Sequence, residues 1–397
     1  MLLAHDLFDP ACLQDPYPLY DRMRAGQPVQ RVGDSAFFAA TSYDAVTEAT
    51  ARPQDFSSNL TAAMWHQPDG TVTEFAMEGP GGSTHVLATA DDPLHAAHRK
   101  LVLPRLAAKR MRELEPFIAA TATDLLTTGE IDWMATMADR LPMLVVARLL
   151  GLPTADVDRL VAWAYGSTQL LDGLVDQDQL TAAGIAAVEL GGYLIDQFGR
   201  ASANPGDDLL GDFATYCTAE QLTADTAALI LIQLVSAGAE STASLIGSAV
   251  RILAQRPDLA DRLRQDDGLI PAFLEEVLRY ESPFRGHFRH VLGDTELAGT
   301  PLPAGSHLLL LWGAANRDPA AFDDPHEFRI DRDNAKSHLA FGKGAHFCVG
   351  AALARLEARI VISLLLASSR DITPAGDAEW LPSLLVRRLS RLPLTVD

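Results

Sequence analysis

Phe341-Gly-Lys-Gly-Ala-His-Phe-Cys348-Val-Gly-Ala-Ala-Leu-Ala-Arg355 sets one cysteine in a glycine-rich turn, just ahead of a strongly helical run, AALARLEARIVISLLLAS. A free thiol titrates near about 8.5, and both the partial positive charge at a helix start and a bound metal lower that value. The thiolate is the form that ligates metal. Gly342 and Gly344 let the backbone bend where a Cβ would clash, and with Gly350 they leave room for a flat ligand to approach closely. A lone cysteine in such a turn is more often a buried structural residue, so its surroundings must decide.

Outward from that turn, the 397 residues are 48% hydrophobic and 21% charged, a composition that can fill a large core and carries no mark of disorder. The net charge of -20 argues against nucleic acid as a partner, because a polyanion calls for clustered Lys and Arg. Cys12, Cys217 and Cys348 are odd in number and widely scattered, which fits a reducing, cytoplasmic setting better than a disulfide framework. The start, MLLAHDLFDPACLQDP, lacks the basic and apolar stretches of a signal peptide. The most apolar internal run, residues 225–240, contains Gln233 and falls short of the roughly 20 residues that span a bilayer, so a buried core helix and no membrane anchor are expected.

Helical periodicity dominates residues 94–200, and NPGDD at 204–208 breaks it. A long helix is expected over 223–255, ended by Arg256-Pro257, and another over 271–280, where Pro suits the first turn. Short β-type runs flank the turn signal Gly33-Asp34, follow Phe284 as HFRHVLGDTELAGTPLPAGSHLLLLW, and recur at 381–395. Residues 57–93, with GPGG at 79–82, read as an unusually long connection. The fold class is therefore mainly α with small β-sheets (α+β).

The string F-G-x-G-x-H-x-C-x-G-x-x-L-A-R, here 341–355, closely resembles the haem-thiolate loop of the cytochrome P-450 family, particularly its soluble bacterial members. The resemblance implies that Cys348 is the axial ligand of haem b, whose thiolate donation favours O–O cleavage. Three further segments match in order. Glu276-Val-Leu-Arg279 resembles the family's E-x-x-R helix, with Arg332 as the third member of a structural ion network. His95 and Arg99, four apart on one helical face, match the family's H-x-x-x-R, and with Arg289 and His346 they would neutralise the two haem propionates. Phe341, Gly342, Gly344, Gly350, Ala237 and Gly238 are implied to line the cofactor, while His98 reads as a surface or packing residue.

Ala237-Gly-Ala-Glu240-Ser241-Thr242 resembles the segment that passes over the oxygen-binding side of the haem. Glu240 and a hydroxyl would relay protons there. Ser241 stands where the family usually has threonine; it keeps the hydroxyl but lacks the methyl that stiffens χ1. Thr242, about 100° further round the helix, is expected to point elsewhere.

The implied fold is one cytochrome P-450 domain over 1–397, with haem between a long distal helix and the cysteine loop. No room is expected for a fused reductase, so electrons would come from NAD(P)H through a ferredoxin reductase and ferredoxin. Lys100, Arg105, Lys109, Arg110, Lys343 and Arg359 are a candidate surface for that acidic partner, or an ordinary solvated face. Met77, Leu234, Ala237, Phe284 and Leu384 are candidates for a pocket holding a hydrophobic small organic substrate, with Arg285 meeting a polar group or solvent. The implied activity is insertion of one oxygen atom from O2 into that substrate. A peroxide-dependent peroxygenase and a non-catalytic haem binding or sensor protein are the alternatives.

Overall fold

The structure, a computed structural model, describes residues 4–77, 83–173 and 176–397. Its centre is the helix Ala224–Gln255, capped where the Thr223 hydroxyl accepts from the Thr226 amide at 3.2 Å and stopped before Pro257. Apolar and small side chains surround much of its circumference, so it is buried on several sides: Ile230, Leu231, Ala239, Leu245, Ile246 and Val250 all lie in the largest core cluster. By length and composition this helix would be able to cross a membrane, contrary to the shorter apolar run expected from sequence, but 56% of the qualifying window is buried inside the protein. The amphipathic helices Arg140–Leu150, Val157–Thr168, Gln177–Ala203 and Ala351–Ser368 pack against it.

The E-x-x-R helix runs Ile270–Tyr280, one residue longer at its start than expected, with Pro271 in its first turn. The chain then enters a five-stranded sheet in the order Val29–Arg31, Phe37–Ala40, His307–Leu310, His287–Val291, Phe56–Ser57. The Gly33 turn joins the first two strands as an antiparallel hairpin pairing Val29 with Ala40. His307–Leu310 runs parallel to Phe37–Ala40 and antiparallel to His287–Val291, with Leu308 opposite Arg289. Strand alternation then sets which side chains of that last strand share a face, so Arg289 and His287 lie on the same one.

Residues 57–93 are not one long connection. They contain the hairpin Ala62–His66 and Val72–Ala76, while the GPGG stretch at 79–82 lies outside the described residues. The C-terminal β reading resolves into two pieces. Pro393–Val396 is the middle strand of a three-stranded sheet with Ile372–Pro374 and Gly129–Asp132, and Leu389–Arg391 pairs with Glu379–Trp380.

Candidate active site

The cysteine loop is closed by the Cys348 amide, which donates to the Phe341 carbonyl at 2.9 Å. Gly342 and Gly344 hold φ of +71° and +73°, a region that L side chains avoid, so the bend depends on glycine at those two points. Arg99 donates to the Phe347 carbonyl at 2.7 Å and ties the loop to the helix Leu94–Val102. The Arg355 guanidinium lies 4.4 Å from the Phe341 ring centroid and pairs with Glu275 at 2.6 Å. Gly350 caps the helix Ala351–Ser368; a Cβ there would sit 3.9 Å from the Cys348 sulfur, an ordinary contact, so the protein's own packing does not demand its smallness.

Cys348 is exposed to a cavity of ≈ 250 Å³ that lies inside the fold. Desolvation is the largest influence on its thiol and pushes the pKa up, against the Gly350 and Ala351 amides and the charges of Arg99 and Arg355. The helix start does favour the thiolate, as the sequence implied, but burial outweighs it in the protein by itself.

His95, Arg99, Arg289 and His346 all border this cavity. The His95 and His346 rings stack with centroids 3.8 Å apart, and burial followed by the neighbouring His95 and Arg289 pulls His346 down to about 4. Arg289 has no carboxylate ion pair among the described residues. Burial lowers it to about 10, with Asp91 opposing. A half-buried guanidinium with one backbone acceptor, the Phe288 carbonyl at 2.8 Å, is an incompletely satisfied donor set that haem propionates would complete. With a thiol bordering the same cavity, these residues fit a haem.

The long helix reaches the cavity through Leu234, Ala237, Gly238, Ser241 and Thr242. The Ser241 hydroxyl donates to the Ala237 carbonyl at 2.8 Å and the Thr242 hydroxyl to the Gly238 carbonyl at 3.1 Å. Thr242 therefore does not point elsewhere: it also borders the cavity. Gly238 has a further reason to be small, since a Cβ there would meet Val146 Cγ2 at 2.9 Å on the helix Arg140–Leu150.

Glu240 does not face the cavity. It is 1% exposed; its carboxylate accepts from Thr168 at 2.8 Å and from Arg388 Nε at 3.3 Å. Glu240 and Thr242 lie about 100° to either side of Ser241, and only the Thr242 side meets the cavity; on the other side Glu240 meets a threonine and an arginine. Burial raises the Glu240 pKa, with Arg388 and the Thr168 hydroxyl opposing. Arg388 also approaches Asp139 at 3.5 Å, whose pKa burial pushes up to about 6. Sequence reasoning missed Arg388; its only sign was an Arg-Arg pair inside an apolar C-terminal run.

Glu276 and Arg279 are fully buried and paired at 2.7 Å, and Arg332 reaches Glu276 at 3.4 Å. Arg279 also donates to the carbonyls of Asn316, Pro325 and Glu327 at 3.0, 2.8 and 3.1 Å, so the helix is stitched to the loop that leads to Cys348.

Of the substrate candidates, Leu234, Ala237 and Phe284 border the cavity. Leu384 and Met77 do not: Leu384 belongs to a second hydrophobic core with Phe37, Phe288 and Leu309, and Met77 packs against it. Arg285 lies neither on the cavity nor at the surface; it is buried and donates to the Leu13 carbonyl. His98 is a packing residue whose Nδ1 accepts from the Leu87 amide at 3.2 Å. Glu357, overlooked in the sequence, borders the cavity fully buried, with one carboxyl oxygen unpartnered and its pKa raised well above the usual range by burial alone.

The basic surface is largely neutralised. Arg105 is buried and bonded to Asp212 at 2.7 Å and Asp207 at 2.8 Å, Arg110 pairs with Glu113 at 2.8 Å, and Arg359 with Glu115 at 2.6 Å.

The family model described as Cytochrome P-450 matches residues 207–379, which include the long helix, the E-x-x-R helix and the cysteine loop. Cytochrome P-450 144 of Mycobacterium tuberculosis is 58% identical over 398 residues, covering 99% of this chain and 92% of that protein. The vitamin D(3) 25-hydroxylase of Pseudonocardia autotrophica is 34% identical, covering 99% and 96%. Among solved structures, cytochrome P-450 CREJ in complex with (4-ethylphenyl) dihydrogen phosphate superposes with a TM-score of 0.88 at 28% identity, covering 97% of this chain and 98% of that one. A cysteine loop closed on glycines, a buried E-x-x-R pair and near-complete alignment with these relatives agree on one point: the chain belongs to the cytochrome P-450 family and is an enzyme of that class.

Proposed function

We propose that the protein inserts one oxygen atom from O2 into a hydrophobic small organic molecule, with electrons passed from NAD(P)H through a ferredoxin reductase and a ferredoxin. The observation that carries this reading is the meeting of Cys348, the four basic side chains and the Ser241 hydroxyl around one largely apolar cavity. When bound, haem would supply the thiolate-ligated iron that makes oxygen reactive. Cys348 would hold it from the loop, with Arg99, Arg289, His95 and His346 orienting its carboxylates.

The chain's own part is to bind, exclude water and deliver protons. Leu234, Ala237, Leu245 and Phe284 present apolar surface to substrate. Ser241 and Thr242 present the hydroxyls that lie on the cavity. Glu240 supplies protons indirectly, from behind the helix, and its carboxylate must leave Arg388 or Thr168 to reach the Ser241 hydroxyl. Among the candidate partner cations, Lys100 and Lys343 remain without an acidic neighbour among the described residues, and they are the charges available to a ferredoxin.

The test is consumption of O2 and reduced nicotinamide by haem-loaded protein with a ferredoxin system, while compounds are screened for the low-spin to high-spin shift of the ferric form. Consumption should rise with compounds that give the shift and yield an oxygenated product. Spin-shifting compounds that leave consumption unchanged would refute the monooxygenase reading and favour a binding role.

A further inference from the structure

His287 borders the same cavity from the strand His287–Val291, two residues before Arg289, and has no part in the functions assigned above. Trp312 Nε1 donates to its Nδ1 at 2.7 Å. An indole nitrogen can only donate, so Nδ1 must be the bare nitrogen of the ring. A neutral imidazole with Nδ1 bare carries its proton on Nε2. Burial, followed by the nearby Arg289 charge, pulls the ring down to about 4, which keeps it neutral at pH 7.

Nε2 has no partner among the described residues, although the side chain is exposed where the cavity lies. The ring is held in place by Trp312, itself 3% exposed, and by the Phe284 ring 4.9 Å away. Three other polar side chains of the lining, Gln233, Ser241 and Thr242, are already committed. Gln233 accepts from the Ala88 amide and donates to Thr89, and the Ser241 and Thr242 hydroxyls donate to carbonyls of their own helix.

We propose that His287 is a specificity-determining hydrogen-bond donor, locked by Trp312 so that Nε2–H meets a carbonyl or carboxylate oxygen of a molecule held in the cavity. The inference deepens the reading above and rests on it for what else the cavity contains. Two molecules offer such an oxygen: a substrate, and the haem itself through a propionate near Arg289. A directional donor in an apolar pocket selects between ligands of equal size, because a ligand lacking the acceptor leaves that N–H buried without a partner.

The experiment uses haem-loaded protein: wild type, His287→Phe, His287→Gln and Trp312→Phe. In 15N-histidine NMR of the carbon monoxide complex of the reduced protein at pH 7, the signal lost in His287→Phe should report a proton on Nε2 and none on Nδ1. The opposite tautomer, or a protonated ring, overturns the proposal. This measurement does not depend on turnover, so an inactive oxygenase would leave it standing, and an active one would not rescue it.

The acceptor is identified by two further arms. If it belongs to substrate, His287→Phe should weaken the spin-shift titration of decanoic acid about tenfold and leave that of decane unchanged, with His287→Gln recovering part of the loss. If it belongs to haem, the resonance Raman propionate bending band should move in His287→Phe and Trp312→Phe alike, with no discrimination between the two probes. Variants that shift neither the acid-to-alkane preference nor the propionate band overturn the proposal. Should His287→Phe fail to fold, His287→Gln and Trp312→Phe carry the same comparisons.

Discussion

Ser241 presents to the cavity a hydroxyl with no γ-methyl beside it, and among the described residues its one side-chain hydrogen bond is to the Ala237 carbonyl one turn back. A side chain restrained so lightly at χ1 gives a less fixed donor than threonine. Ser241→Thr should lower the peroxide released per reduced nicotinamide consumed; an unchanged yield in a peroxide assay would contradict this account. Glu357 tests burial. Burial raises the pKa of its carboxyl in the folded protein well above the usual range, whereas the unfolded chain releases that proton above about 4.3. Wild type therefore loses stability as pH rises from there toward the raised folded pKa, and Glu357→Gln should not. Thermal melts should show the variant more stable than wild type at pH 8 and closer to it at pH 5.

The element that depends most on a few charges is the helix Ile270–Tyr280. Its amphipathic pattern is enough to place it in the core, but Arg279, paired with Glu276, joins it to the carbonyls of Asn316, Pro325 and Glu327. Removing the cation takes away the closest charge from a fully buried carboxylate, leaving it Arg332 at 3.4 Å, and deprives the Asn316 and Pro325 carbonyls of this donor. Arg279→Ala should cost about 3–5 kcal/mol and give haem-free, misfolded protein; isolation of a stable, haem-replete variant would refute this. On the long helix, Gly238 answers to helix packing as well as to the cavity. Gly238→Val should push the helix Arg140–Leu150 away and lower the melting temperature, whereas Ala239→Gly, which removes a methyl from a buried site without a clash, should be milder. Equal losses in calorimetry would show that the Val146 contact does not matter.

At the scale of the whole molecule, Arg388 joins the C-terminal segment to the long helix through Glu240 and to Asp139 ahead of the helix Arg140–Leu150. With Arg388→Gln both buried carboxyls lose their cation and are pushed further up, so they take protons at higher pH. The stability deficit against wild type should be largest near pH 8 and shrink toward pH 5, as read from paired melts. A deficit independent of pH would mean that Arg388 acts through packing alone.

The helices, the Gly33 hairpin and the cysteine loop were legible because their signals are local: caps, Pro and Gly positions, and apolar periodicity within a dozen residues. The misreadings shared the opposite property. Leu384 and Met77 are apolar residues near the right region, yet which apolar residues line a cavity and which fill a core is decided by packing between distant segments. The basic surface looked free because Asp207 and Asp212 stand about a hundred residues from Arg105 in the chain.

The sequence by itself determined the family and singled out Cys348 and the residues proposed to hold haem carboxylates, since each rests on residue type and short spacing. Only the tertiary structure decided that Glu240 turns to Arg388, 148 residues further on, and that Trp312 sets the tautomer of His287. Hydrogen bonds and burial act over a few ångströms in space, whatever the separation along the chain, and no local pattern carries that information.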